Sequence, residues 1–516
     1  MISAYRSIFR SKRVIAPRFI NTSSGAFILS LHWRTVRCHD LNDAKDLVEH
    51  CIDFGLGLGS SYVEARYVRE RAKGVGYRNG ELLSGGQEPS SGIGVRLLVG
   101  GSMGFGSFDR MEKQLAEDAV RAAFRMAKNA KRKKKIELGK SVSNRASWSV
   151  KAKQPLEDIG VDTMMATAEE LNKQMAGLSY YTLMLMPTKI EKYLVTSEGT
   201  EITADTSFTR VFVLLTAEGK NGSEQRIKDL TRSGGWEAFK ESKLADVVAD
   251  QVSHLKRAAE EAQKVPELLD QPVDMIVGSE VAGIISHENV GHPSEGDRIM
   301  GREGAQAGES FWRDLKIEES RIGSTVVNVS DDPTIPQTSG FYLYDDEGVK
   351  ARKRRLIKNG IANEPLLNRE FGLRFGKESN GAARSSSYNR EPIIRMSNTF
   401  FEPGDLTFEE LIEDVKLGVY MKSFQEWNID DRRFQSKYTG SEAYLIRNGE
   451  LTDTMVRRPV LETTSVGLLS AIDGVSKEFV LDFAGTCGKG DPMQGVPVYA
   501  GGPHIRIRNV RLGGMG

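Results

Sequence analysis

The segment "SHENVGHPSEGD", residues 286–297, decides how this chain is read. It sets His287 and His292 five positions apart, with Glu288 directly after the first. An ideal helix turns about 100° per residue, so histidines four apart lie about 40° from each other and can grip one ion. Five apart, they diverge by about 140°. One metal can hold both only where the helix departs from ideal. Either a turn widens locally to i→i+5 bonding, or the helix breaks at Gly291 and lets His292 swing back. Gly291 before His292 and Pro293 after it supply the means for both.

Metal chemistry explains the residue types. Neutral imidazoles suit a zinc-like ion, and a catalytic site keeps three protein ligands and one open position. Glu288 stands where the four-spaced signature carries its general base, facing the reacting water rather than the metal. Glu295 and Asp297 are near enough in sequence to steady the imidazole N–H groups from behind. A third ligand must come from elsewhere, and the candidates are Cys487, His504, Glu295 and Asp297. Cys487 lies in "FAGTCGKGDP", where Gly485 and Gly488 are expected to let a loop close over the helix. The competing reading is a polar helix end packed beneath a loop, with Cys487 a small buried hydrophobe.

Around this segment the pattern is that of an α+β, multi-domain chain with mixed and antiparallel sheets. Its β-rich C-terminal part carries the metal-binding helix. At 516 residues the chain exceeds one core and suggests about three domains. Residues 41–135 open with a helix over 43–56, continue as glycine-punctuated strands and end in a helix over 111–129. "GLGLG" at 55–59 follows a helix and precedes a strand, the reverse of a dinucleotide-binding order, so it binds no nucleotide. "KRKKK" at 131–135 reads as a solvated linker at a helix C-terminus. Residues 150–265 form a central α+β domain, with strands between helices over 155–175 and 242–263. Residues 270–516 form the third region, in which Ser279 is expected to cap the helix bearing His287.

Lys plus Arg (71) balance Asp plus Glu (70), which argues against nucleic acid as a partner. No apolar run is long enough for a membrane span. Three cysteines, Cys38, Cys51 and Cys487, fit a reducing compartment rather than a disulfide framework. Residues 1–40 form a basic extension in which Arg6 to Arg37 precede the first acid, Asp40. Such a segment is a disordered tail, a misassigned start or an organelle-targeting peptide.

From about Asp40 to the C-terminus the chain resembles the TldD/PmbA metalloproteases, whose signature spaces its histidines by five. The resemblance runs through "SYVEARY", "GVRLLVGGSMGFGS", "VSDDPTIPQTSGFYLYDDEGVKARKRRLIKNG", "RMSNTFFEPGD", "SEAYLIRNGELTD" and "GTCGKGDPMQGVPVYAGGPHIRI". It implies His287 and His292 as zinc ligands, Cys487 as the third, Glu288 as the catalytic glutamate and one zinc per active subunit. A thiolate ligand would make that zinc a milder Lewis acid than a carboxylate would. Every element of the motif is retained, so the chain resembles the active, TldD-like subunit. The resemblance further implies a cytoplasmic enzyme acting on unstructured peptides or unfolded segments inside a homodimer, or a heterodimer with a motif-lacking paralogue. Rival expectations are a metal-dependent amide hydrolase that is not a peptidase, and a non-catalytic subunit. An oxyanion stabiliser is not evident in the sequence; His504 and backbone amides of the glycine-rich segments are candidates for substrate contact.

Overall fold

Alternation of side chains along extended segments such as "YVEARYVRERAKGVGYR" builds the first layer of the protein. The computed structural model describes residues 41–130, 132, 134–304 and 308–515. The basic segment 1–40 lies outside the described residues. The chain is a mixed α+β protein of several sheets.

An eight-stranded sheet spans what the sequence divides into first and central regions. Its central pairing joins Tyr62–Arg78 to Tyr180–Thr196, antiparallel, with Tyr67 opposite Tyr193. Two cores lie on this one sheet. Val63, Ala65 and Tyr67 point into the first, beneath helices Leu41–Gly57 and Lys113–Asn129. The second helix presents Ala116, Ala119, Ala123 and Ala127 to strand Ser102–Phe108. Contact there is backbone to backbone, since a Cβ on Gly104 would lie 2.0 Å from the Ala123 carbonyl oxygen. The second core packs helices Val161–Gln174 and Leu244–Glu261 through Leu171, Val248, Val252 and Leu255. The residues that alternate with Val63 and Ala65 face the C-terminal part instead. Arg96 bonds both Glu64 at 2.9 Å and Glu347 at 2.7 Å.

The C-terminal part contains two six-stranded sheets and a four-stranded one around a large apolar core. In one, Val329–Asp331, Asn398–Phe401, Gln494–Gly502 and Val480–Lys489 follow one another, the last at the edge. Another holds Val273–Val277 between Leu417–Met421 and Ile505–Val510. Helix Ser279–Ile285 leaves Val273–Val277 and lies on Gln494–Gly502. Ser279 does not cap it. The cap position is Gly278, and the Ser279 hydroxyl donates instead to Asp482 at 2.8 Å. The close approach is made by glycine: a Cβ on Gly283 would lie 2.7 Å from the Gly501 nitrogen. Helix propensity alone favours alanine over glycine by about 1 kcal/mol. Gly283→Ala is nevertheless expected to destabilise by about 1–3 kcal/mol, because a strand backbone cannot yield to the methyl group. Urea unfolding of the variant measures the sign; a raised midpoint would refute the contact.

Candidate metal centre

The helix of Ser279–Ile285 does not continue regularly. Ser286–Gly291 forms a π turn, closed by the His292 amide donating to the His287 carbonyl at 3.0 Å. This is the i→i+5 widening, and the chain does not break at Gly291. It brings the two imidazoles face to edge, with ring centroids 4.9 Å apart and planes at 83°. Gly291 is required where it stands, since a Cβ there would lie 1.9 Å from the sulfur of buried Met396. The turn is tied down on both sides. The Ser286 hydroxyl donates to the Gly283 carbonyl at 2.8 Å, and the Asn289 amide donates to Ser465 at 2.7 Å.

Cys487 comes from strand Val480–Lys489, not from a loop, and stands opposite Val496. Its flanking glycines are not the means of approach. A Cβ on Gly485 would meet only Phe483, at 3.9 Å, and one on Gly488 would meet the Met493 sulfur at 3.1 Å. The strand is placed by Arg395, fully buried, which donates to the Cys487 carbonyl at 2.5 Å and the Gln494 carbonyl at 2.8 Å. The Cys487 sulfur then lies 3.3 Å from His292 Nε2. The ligand atoms of His287, His292 and Cys487 all lie within 4.8 Å of one another, and all three residues are buried.

Behind the pair, His292 Nδ1 meets Glu295 Oε2 at 3.0 Å. A carboxylate can only accept, so Nδ1 carries a proton and Nε2 is the ring nitrogen left facing the sulfur. Glu295 accepts from Arg298 Nε at 2.7 Å and lies 3.3 Å from Lys489 Nζ. Burial opposes its ionisation, but Lys489, His292 and Arg298 hold it well below the usual carboxylate range. Asp297 receives Lys489 Nζ at 2.7 Å. Burial raises the Asp297 carboxyl despite Lys489, and the charge of Glu295 adds to that rise. Lys489 thus lies between two buried carboxylates and also donates to the Ile394 carbonyl at 2.8 Å. Lys489→Met removes the shared cation and is expected to destabilise by about 3–5 kcal/mol. A shift under about 1 kcal/mol in urea unfolding would show the cluster to be dispensable.

Electrostatics within the trio favour a charged sulfur. Burial opposes ionisation of Cys487, yet His292, His287 and Arg395 outweigh it and hold the thiol well below its ordinary value. Burial likewise disfavours protonated His287, but the nearby Cys487 thiolate reverses the sign and raises it. His287 Nδ1 is buried without a hydrogen-bond partner. The donor set therefore fits a zinc-like ion. Zinc's bond lengths put paired donors about 3.3–3.7 Å apart; the Cys487–His292 pair stands at 3.3 Å, in a set whose donor atoms lie within 4.8 Å of one another.

Glu288 lies against a hairpin of Phe424–Ile429 and Gln435–Gly440. Its Oε1 accepts from Trp427 Nε1 and its Oε2 from Arg433 Nη1, each at 2.9 Å. His504 is not gathered with the histidine pair. Its Nε2 meets the Tyr420 hydroxyl at 3.1 Å and its ring packs on Phe408. Sequence reasoning missed Trp427, Arg433, Arg395 and Lys489. Only Lys489 left a trace, since residues two apart on a strand share a face and Lys489 follows Cys487 by two.

The sequence model of the PmbA/TldA metallopeptidase C-terminal domain matches residues 270–514. Those of domain 1 and the central domain match 63–130 and 154–264. A metalloprotease of Methanothermobacter thermautotrophicus is 30% identical over 88% of this chain and 95% of its own length. A zinc metalloprotease TldD homolog of Saccharolobus solfataricus is 27% identical over 89% of this chain and 97% of its own. Among solved structures, TldE from Thermococcus kodakarensis superposes with a TM-score of 0.69 at 18% identity, covering 91% of this chain and all of that one.

Proposed function

Because the chain belongs to the PmbA/TldA metallopeptidase family, we propose that it is a zinc-dependent peptidase whose metal is held by His287, His292 and Cys487. One observation carries the proposal: three buried donor atoms converge across a π turn, with a carboxylate on the residue after His287. The trio would hold one zinc per chain, and zinc supplies Lewis acidity that polarises a peptide carbonyl and acidifies water. Glu288 is the general base. Each of its oxygens accepts one N–H bond and keeps a lone pair, so the carboxylate is held in place yet free to take a proton from water. It then returns that proton to the leaving amine nitrogen. Glu295 keeps the His292 ring oriented through Nδ1.

The substrates are unstructured peptides or unfolded segments. With His287, Glu288 and His292 each at most 5% exposed, the site is closed to a folded domain, which supports that reading. The family resemblance supports a dimer, with a second copy or a motif-lacking paralogue, and a cytoplasmic setting. Among the described residues no helix is long and apolar enough to cross a membrane. The test is metal analysis of the purified protein alongside digestion of an unfolded peptide and of small amides. About one zinc per chain with turnover of the peptide is the expected result. Zinc with turnover of small amides only would make it an amide hydrolase of another kind.

A further inference from the structure

We propose that Arg433 is a second catalytic residue, donating to the oxygen of the scissile carbonyl as negative charge develops there. This rests on the peptidase reading above. Arg433 occupies the turn that joins the two strands of the hairpin against Glu288. Its φ is +61°, a left-handed conformation that a side-chain-bearing residue holds only when its surroundings enforce it. They do so here. The Arg433 amide donates to the Asp430 carbonyl at 3.0 Å, and its carbonyl accepts from the Ser465 hydroxyl at 2.8 Å. That hydroxyl in turn accepts from Asn289, next to Glu288 on the π turn. One network therefore fixes the base and the cation relative to each other.

The guanidinium is underused. Of its five N–H donors, one is given to Glu288. Nε is buried without a partner. Buried Arg354 likewise leaves Nε without a partner, but its two Nη groups are spread over Asp331 and the Asn380 and Gly381 carbonyls, whereas among the described residues those of Arg433 serve Glu288 alone. A cation held beside the general base, with donors to spare, is suited to a charge that exists only during reaction. As water adds to the carbonyl carbon, the C=O π pair moves onto oxygen and a water proton passes to Glu288. The oxyanion faces Arg433. Collapse re-forms the C=O bond, breaks C–N and returns the proton to the amine, leaving an acid and an amine.

The test uses the zinc-loaded protein, an unfolded peptide substrate and a peptide phosphonate that mimics the tetrahedral oxyanion. Arg433→Gln should lower kcat by about 10²–10³ and leave KM within about threefold, with zinc content unchanged. Its affinity for the phosphonate should fall by the same factor as kcat/KM. Arg433→Lys should retain part of the rate, and added guanidinium should restore part of it to Arg433→Ala. If Arg433→Gln does not fold, these last two variants decide. The proposal is overturned if kcat survives in Arg433→Gln while Glu288→Gln is inactive. It also falls if phosphonate affinity is unchanged, which would leave Arg433 only positioning Glu288. A loss confined to KM for peptides with a free C-terminal carboxylate would make it a terminus-binding residue instead. Full turnover by Glu288→Gln would remove the peptidase mechanism itself, and this inference with it.

Discussion

Cys487→Ala is expected to lose metal and turnover together, with metal affinity down by more than the 10–100-fold typical of changes behind a ligand. The sulfur sits 3.3 Å from His292 Nε2, on a strand fixed by Arg395, and among the described residues no other donor joins His287 and His292 in this cluster. The protein carries its own control. Cys51 is also free and buried, but burial alone pushes its thiol up to about 12, so it stays neutral and inert. Cys51→Ala should leave metal content and rate unchanged. Oxidants should inactivate the zinc-free protein faster than the zinc form, because a metal-bound thiolate is no longer available as a nucleophile. Unaltered zinc content in Cys487→Ala would remove it from the ligand set and turn attention to Glu295.

Glu288→Ala should separate chemistry from metal binding. Turnover should fall by about 10²–10⁴, the contribution of a general base, while zinc remains near one per chain. The variant also leaves the Arg433 cation without its carboxylate in a site where the two side chains are 13% and 7% exposed. Part of any loss could then come from a disturbed hairpin, so Glu288→Gln, which keeps the shape and the hydrogen-bonding oxygen, is the cleaner companion. Loss of zinc in both variants would move Glu288 into the coordination sphere. Retained turnover in both would take it out of the mechanism.

Much of this was legible in the chain because it follows from local periodicity. The helices over Leu41–Gly57, Lys113–Asn129 and Leu244–Glu261 are amphipathic and fall within a few residues of their predicted bounds. Helix arithmetic at His287 and His292 required a distortion, and the π turn supplies it. The helix expected over 155–175 is interrupted at Gly160, with a short 3-10 turn before it. What the residues did not reveal is long-range pairing. Tyr62–Arg78 finds its second partner more than a hundred residues away in Tyr180–Thr196, and no local pattern encodes that choice. The same reason hid Arg433 and Trp427, which reach Glu288 across 145 and 139 residues. Glycines beside Cys487 drew attention for close packing, whereas the tight contacts are at Gly283 against Gly501 and Gly291 against Met396.

The bond from the His292 amide to the His287 carbonyl also bears on how such a motif can change length. A widened turn stores one surplus residue without passing the offset along the chain. To the two imidazoles, the stretch from Ser279 to His292 behaves like an ordinary four-spaced helix with an insertion folded into it. Excising Val290 would therefore not simply tidy the helix. It would demand that Asn289 and Glu288, each already held by the hairpin, rotate out of their sockets to keep the two imidazoles together. The spacing of this signature is a property of the surrounding scaffold as much as of the six residues that spell it.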